Sequence, residues 1–228
     1  TLGFTLSYNS IDAYNGVFGK GWTHNWNMLL FSNPDGSIGL KQADGRIVYF
    51  RLDNGIYYPD AESGEDSYIT YTSDTYTLIE KNGTTYTFNA TTGKLTSIRD
   101  RNGNTSTLSY ADNNLTAITD PSGRTIYLTY ASNKISSITD LNSNAYSFSY
   151  ANDALISLSF PLVGNPYGWS YSYDADGRMK TKTDPQGYVT TYAYDTDGKV
   201  ISSQDPEGKT KAISYEPSAN SVTVTEKD

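Results

Sequence analysis

An internal period of about twenty residues constrains this chain more than any other feature, because a repeat fixes the architecture before any single residue is considered. Aromatic residues that end strand-like stretches fall at Tyr110, Tyr130, Tyr150, Tyr173, Tyr194 and Tyr215, with spacings of 20, 20, 23, 21 and 21. A second column, the acid that opens a turn, runs through Asp100, Asp120, Asp140, Asp184 and Asp205. Glycine follows three positions later at Gly103, Gly123, Gly187 and Gly208. A third column is apolar and comes five or six residues after each aromatic, at Leu115, Ile135, Leu155, Met179 and Val200.

Each period reads as a β-hairpin. In Asp120-Pro121-Ser122-Gly123 the Asp suits the first position of a type I turn, Pro presets φ at the second, and Gly supplies the left-handed residue that rejoins the ladder. Asp184 to Gly187 and Asp205 to Gly208 repeat the recipe. The strands between them alternate, as in Ile126, Leu128, Tyr130 or Trp169, Tyr171, Tyr173, so that one face is apolar and aromatic and the other Thr and Ser. At the far end of the hairpin, Tyr173-Asp174-Ala175-Asp176-Gly177 and Tyr194-Asp195-Thr196-Asp197-Gly198 carry Asp-Gly turns. Earlier units have Asp112-Asn113-Asn114 and Ser132-Asn133-Lys134 there, one residue shorter, which accounts for periods of 20 rather than 21. One unit is irregular: Phe160 replaces the turn Asp, and Pro161 to Pro166 forms an apolar loop where the sheet is expected to bend or a loop to protrude. A hairpin of this size cannot bury its aromatic face alone, so the units must join into one curved or spiralling sheet.

Composition agrees with strands and turns. Tyr occurs 21 times and Gly 19 times, Cys is absent, and the hydrophobic fraction is 36%, so tyrosine rings must supply much of the burial. The length suits one large β domain or two smaller ones. A formal charge of −8 opposes a nucleic-acid partner, whose phosphates attract basic surfaces. No stretch approaches the roughly 20 apolar residues of a membrane-spanning helix. The first ten residues lack the charged start and apolar run of a signal peptide. Absence of Cys excludes a disulfide framework and a thiolate metal site, and suits an exported bacterial protein as well as a cytosolic one.

Residues 1–85 do not keep the period, although hairpin turns recur at Asp35-Gly36, Asp44-Gly45, Asn54-Gly55 and Asn82-Gly83. They are expected to form an amino-terminal β cap, and residues 86–228 the repeats. Tyr8 to Ser10 and Phe18 to Trp22, with His24 and Trp26 behind them, read as a plug for the end of the repeat sheet. Asp60, Glu62, Glu65 and Asp66 mark an acidic exposed loop, and Val222 and Val224 a last strand that leaves an edge and implies further chain.

Tyr173-Asp174-Ala175-Asp176-Gly177-Arg178-Met179 and Tyr194-Asp195-Thr196-Asp197-Gly198-Lys199-Val200 resemble the Tyr-Asp motif that names the YD or RHS repeat, and Tyr8-Asn9-Ser10 with Phe18-Gly19-Lys20-Gly21-Trp22 resembles the segment that precedes the repeats in bacterial RHS proteins. The resemblance covers nearly the whole chain. Units ending at Tyr110, Tyr130 and Tyr150 depart from it, with Ala after the Tyr and no Gly in the far turn. It implies a β strip that spirals into a hollow shell, as in RHS polymorphic toxins, insecticidal toxin complexes and teneurin ectodomains, with a carboxy-terminal toxin or effector enclosed and released by aspartate-dependent self-cleavage. The family's tail motif, Asp-Pro-x-Gly-Leu, is not met here, since Tyr188 and Lys209 follow the two glycines.

Catalytic chemistry finds little support in the residues. His24 is the only histidine, and with no Cys beside it the reading is a polar residue packed among Trp22 and Trp26 rather than a base. No serine stands in a nucleophile-elbow setting. The Asp-x-Asp-Gly runs at Asp174 and Asp195 lack the distant Glu of a calcium loop, and the turn acids repeat too regularly to be a glycosidase pair. The structural repeat residues are therefore Tyr173, Asp174, Gly177, Asp184, Gly187, Tyr194, Asp195, Gly198, Asp205 and Gly208, with no catalytic, metal or cofactor residue. Trp22, Trp26, Trp169 and Tyr171 are candidate ligand contacts, because aromatic rings exposed on a sheet can stack on sugars.

The expectation is a non-catalytic wall of a larger secreted or surface bacterial protein, cytoplasmic before export by a secretion system. Its partner would be the remainder of the same polypeptide, with carbohydrate or cell-surface binding as the alternative function and self-association through sheet edges.

Overall fold

The computed structural model describes residues 2–161, 167–216 and 221–227. Of the loop expected at Pro161 to Pro166, positions 162–166 lie outside the described residues. Twenty strands, from Leu29–Ser32 to Ser221–Lys227, follow one another along the chain with no α-helix among the described residues. The expected all-β class of repeated antiparallel hairpins is what the structure contains. The chain forms two compact units. Unit 1 comprises residues 1–7, 23–128 and 140–142, and unit 2 comprises residues 8–22, 129–139 and 143–228.

In unit 1, strand Ile47–Asp53 pairs with Ile38–Lys41 on one side and Ile56–Pro59 on the other. The period-2 geometry of a strand sends Val48 and Phe50 inward while Ile47 and Tyr49 face water. Leu40, Phe50, Ile69, Phe88 and Leu95 form the heart of this core, each at most 1% exposed. The acidic stretch is less free than its composition suggests: Ala61–Ser63 is a 3₁₀ turn, and Asp60, Glu65 and Asp66 receive Arg51, Arg46 and Lys81. In unit 2, Phe18, Ile135, Leu155 and Met179 are buried. The last strand, Ser221–Lys227, pairs along its length with Thr210–Glu216 and leaves Val222 and Val224 more than half exposed.

The turns follow the sequence reading in chemistry and refine it in length. In the Asp-Pro-x-Gly turns the Gly amide donates to the Asp carbonyl, as Gly123 does to Asp120 at 2.9 Å, and glycine takes φ of +82 at Gly123 and +88 at Gly187. The Tyr-Asp turns at Asp174 and Asp195 have the same bonds, with Gly177 and Gly198 in the left-handed region. The shorter far turns have only two loop residues, Asp112-Asn113 and Asn152-Asp153, both with positive φ, while Asn114 already belongs to the next strand. That is the type I′ geometry, whose twist matches paired strands and which Asn and Asp tolerate. At Phe160, where the turn Asp is missing, the amide donates to the Tyr167 carbonyl at 2.7 Å, and the ring packs edge-on against Tyr146.

Candidate functional site: the repeat seam and the segment docked on it

Five of the described hairpins place a bulge at the same point. Tyr110 pairs with Leu115 while the preceding Ser109 pairs with Ala117, leaving Thr116 as the extra residue. The shift recurs at Tyr150 opposite Leu155, Tyr173 opposite Met179 and Tyr194 opposite Val200. It recurs also at Phe88 opposite Leu95, a repeat hidden in the sequence by a differently built far turn. A bulge bends its strand and re-aims side chains, so the aromatic and apolar columns of one hairpin are brought face to face.

The aromatic column then bonds to the repeat before it. Tyr110 donates its hydroxyl to the Leu95 carbonyl at 2.7 Å, Tyr150 to Ile135 at 2.7 Å and Tyr173 to Leu155 at 2.6 Å. Tyr194 donates to Met179 at 2.6 Å and Tyr215 to Val200 at 3.0 Å. Each acceptor is the apolar-column residue one repeat upstream. Burial pushes the Tyr150, Tyr173 and Tyr194 hydroxyls far above the ordinary tyrosine value, so they remain protonated donors. The ladder gives each of these carbonyls a buried hydroxyl donor, at a net gain of about 1 kcal/mol per bond.

The turn acids are spent in a similar way. Asp184 Oδ1 accepts the amides of Gln186 and Tyr188, and Asp205 Oδ1 those of Glu207 and Lys209, all at 2.9 to 3.0 Å. Asp174 and Asp195 do the same within the Tyr-Asp turns. Partial burial would lift the Asp174 carboxyl, but the Arg178 amide and guanidinium outweigh it and hold it below the ordinary aspartate range. Asp176 turns outward to the same guanidinium at 2.6 Å.

Within unit 2 the segment Tyr8–Trp22 docks on this seam. The Val17 carbonyl accepts the Ile135 amide at 3.0 Å, and the Tyr8 hydroxyl accepts the Met179 amide at 2.9 Å, both from the apolar column. The Trp22 indole donates to the Tyr173 hydroxyl at 2.9 Å, and its ring meets Tyr171 edge-on at 4.9 Å. Phe18, fully buried, packs against Phe148. Lys134 closes the far end, donating to Asn15 Oδ1 and the Gly16 carbonyl and pairing with Asp153 at 3.0 Å. At Gly19 a Cβ would lie 2.7 Å from the Asp153 carbonyl, so glycine is required by close approach as well as by its φ of +93.

These placements sort the sequence candidates. Trp22 and Trp26 are 5% and 8% exposed, the second with its indole on the Gly3 carbonyl at 2.8 Å, so neither offers a ring face to a ligand. Trp169 is half-buried with the Lys182 ammonium 4.1 Å above its ring, and Tyr171 packs on Trp22. In unit 1, His24 is buried and stacks on Phe4 at 4.8 Å, and burial lowers its pKa to about 3. It is neutral at physiological pH. Sequence reasoning placed Tyr8 in the plug without its bond to Met179, and missed Lys134. A lysine directly after the Ser132-Asn133 turn was the only available signal for the latter.

The RHS Repeat family model matches residues 88–125 and 166–210, and a domain of unknown function, DUF6531, matches residues 1–50. The tRNA nuclease WapA of Bacillus subtilis (strain 168) is 28% identical over 99 residues, covering 43% of this chain and 4% of that protein. The tRNA3(Ser)-specific nuclease WapA of Bacillus spizizenii is similar to the same extent, so the chain spans about 4% of the length of these curated relatives. Among solved structures, TcdB2-TccC3-Cdc42 aligns over 88% of this chain and 15% of its own, at 13% identity and a TM-score of 0.45. The pore of the Photorhabdus luminescens Tc holotoxin aligns over 87% and 14%, at 15% identity and a TM-score of 0.43. With Tyr-Asp turns, Asp-Pro-x-Gly turns and a tyrosine ladder in one register, and the repeat model matched in two blocks, the chain belongs to the RHS/YD-repeat family.

Proposed function

We propose that this chain is a non-catalytic wall of an RHS-type shell that encloses or presents a carboxy-terminal toxin or effector of the same polypeptide. Residues 1–85 would be the amino-terminal cap and 86–228 the repeats. The observation that carries the reading is the use of the repeat's polar groups. Tyrosine hydroxyls and turn carboxylates bond to the chain's own backbone repeat after repeat, leaving their chemistry spent on holding the wall. The curated relatives, much longer proteins named as tRNA nucleases, are consistent with a wall that accompanies a toxic activity located elsewhere in the polypeptide.

A secreted or cell-surface bacterial location goes with this reading, and no helix among the described residues is long and apolar enough to cross a membrane. The carbohydrate alternative is weakened by its own residues, since Trp22 and Trp26 are buried and Trp169 and Tyr171 are already engaged.

Limited proteolysis of the complete native polypeptide, with intact mass analysis, tests the proposal. A protected carboxy-terminal fragment, severed yet co-purifying with this segment, is the expected result. A remainder that is uncleaved and openly digested would defeat encapsulation.

A further inference from the structure

We propose that a recess in unit 2, between the Asp184 and Asp205 turns, docks an extended peptide segment through a Lys or Arg side chain. The recess has a volume of about 570 Å³. Its position in the repeat is not unique. A recess of about 400 Å³ lies between the Asp100 and Asp120 turns of unit 1, and the two walls correspond residue for residue: Asp100 with Asp184, Ser106 with Thr190, Pro121 with Pro206.

In unit 1 this position is served by the chain itself. Leu2 and Trp26 stand in the wall of that recess, and the Trp26 indole and Asn25 amide both donate to the Gly3 carbonyl, at 2.8 and 3.0 Å. The backbone at Leu2 and Gly3 is thereby held against the junction of two repeats. Among the described residues of unit 2, only the repeats themselves line the equivalent recess.

The second recess is the more aromatic of the two. Lys182, Tyr188 and Glu207 replace Ile98, Asn104 and Ser122, and Trp169 and Tyr192 add aromatic wall. The Lys182 ammonium over Trp169 demonstrates that these rings accept a cation. Tyr188, 60% exposed, and Tyr192 remain for a ligand. Asp184, Asp205 and Glu207 outnumber Lys182 and the Lys209 that pairs with Glu207 at 3.3 Å, and the whole chain carries a formal −8. A basic side chain is therefore attracted at long range by the net negative charge and seated at short range by the Tyr188 and Tyr192 ring faces, by Glu207 and by the Oδ2 atoms of Asp184 and Asp205, whose Oδ1 atoms hold the turns.

The test is titration of the whole chain with acetyl-Arg-Leu-Arg-amide, read as the change in tryptophan fluorescence, which reports Trp169 because it lines the recess while the other two indoles are buried beyond a ligand's reach. A saturable change is expected that is about tenfold weaker in Tyr188→Ser/Glu207→Gln, a variant altered only at exposed side chains. Unchanged circular dichroism would show that this variant keeps the fold. Absence of saturation, an equal response to acetyl-Glu-Leu-Glu-amide, or an unaffected double variant would each overturn the proposal. A response to cellotriose but not to the basic peptide would assign the recess to a sugar instead.

Discussion

His24 makes the stability of unit 1 depend on pH, because it is buried where its charged form is disfavoured. It is the only histidine, it is 3% exposed against Phe4, and burial lowers its pKa from 6.5 to about 3. A group whose folded pKa is depressed takes up its proton preferentially in the unfolded chain, so its contribution is complete above pH 6.5 and is lost as pH falls toward 3. At pH 5 the loss relative to pH 7.5 is RT ln(1 + 10^1.5), about 2 kcal/mol, and this hardly depends on the folded value so long as it lies well below 5. The turn aspartates Asp174 and Asp120, lowered from an ordinary 3.8, keep almost all of their contribution at pH 5 and lose it progressively below that. Urea unfolding at pH 7.5 and pH 5.0, followed by tryptophan fluorescence, should show the loss of about 2 kcal/mol in the natural protein and almost none in His24→Gln. Equal stability of the natural protein at the two pH values, or an undiminished difference in the glutamine variant, would refute the reasoning.

Other perturbations discriminate between parts of the repeat. Tyr173→Phe should cost about 2–3 kcal/mol, because it strands both the Leu155 carbonyl and the Trp22 indole, whereas Tyr215→Phe should cost about 1 kcal/mol; equal losses on chemical denaturation would count against the ladder. Ser143 occupies the glycine position of its turn at φ +65, so Ser143→Gly should raise stability by about 1 kcal/mol, visible as a higher melting temperature. Gly168→Ala places a Cβ 1.9 Å from the Leu158 carbonyl and should cost on the order of 3 kcal/mol, while Gly208→Ala, with open space but φ +87, should cost about 1. Melting curves that rank these two the other way would contradict the assigned backbone.

Much of the fold was legible along the chain because turn chemistry is local. Asp, Pro, Asn and Gly bias φ and bond to amides two to four residues away, so the hairpins, their two loop lengths and the alternating faces follow from neighbours in sequence. The apolar and aromatic columns announced a repeated core for the same reason. What joins one repeat to the next was not legible. The tyrosine ladder spans 15 residues in most repeats and 18 at Tyr173, and at Tyr150, Tyr173 and Tyr194 it coincides with a register shift that local spacing does not announce. Likewise Tyr8 meets Met179 across 171 residues and Lys134 meets Gly16 across 118. Such bonds depend on where distant backbones come to rest, and that also decided that Trp22 and Trp26 are buried. Sequence by itself determined a repeating antiparallel β protein with its turns in place. Tertiary structure alone decided which polar groups are spent on the seam and which aromatic rings face solvent, because burial and long-range hydrogen bonding are properties of packed surfaces rather than of local spacing.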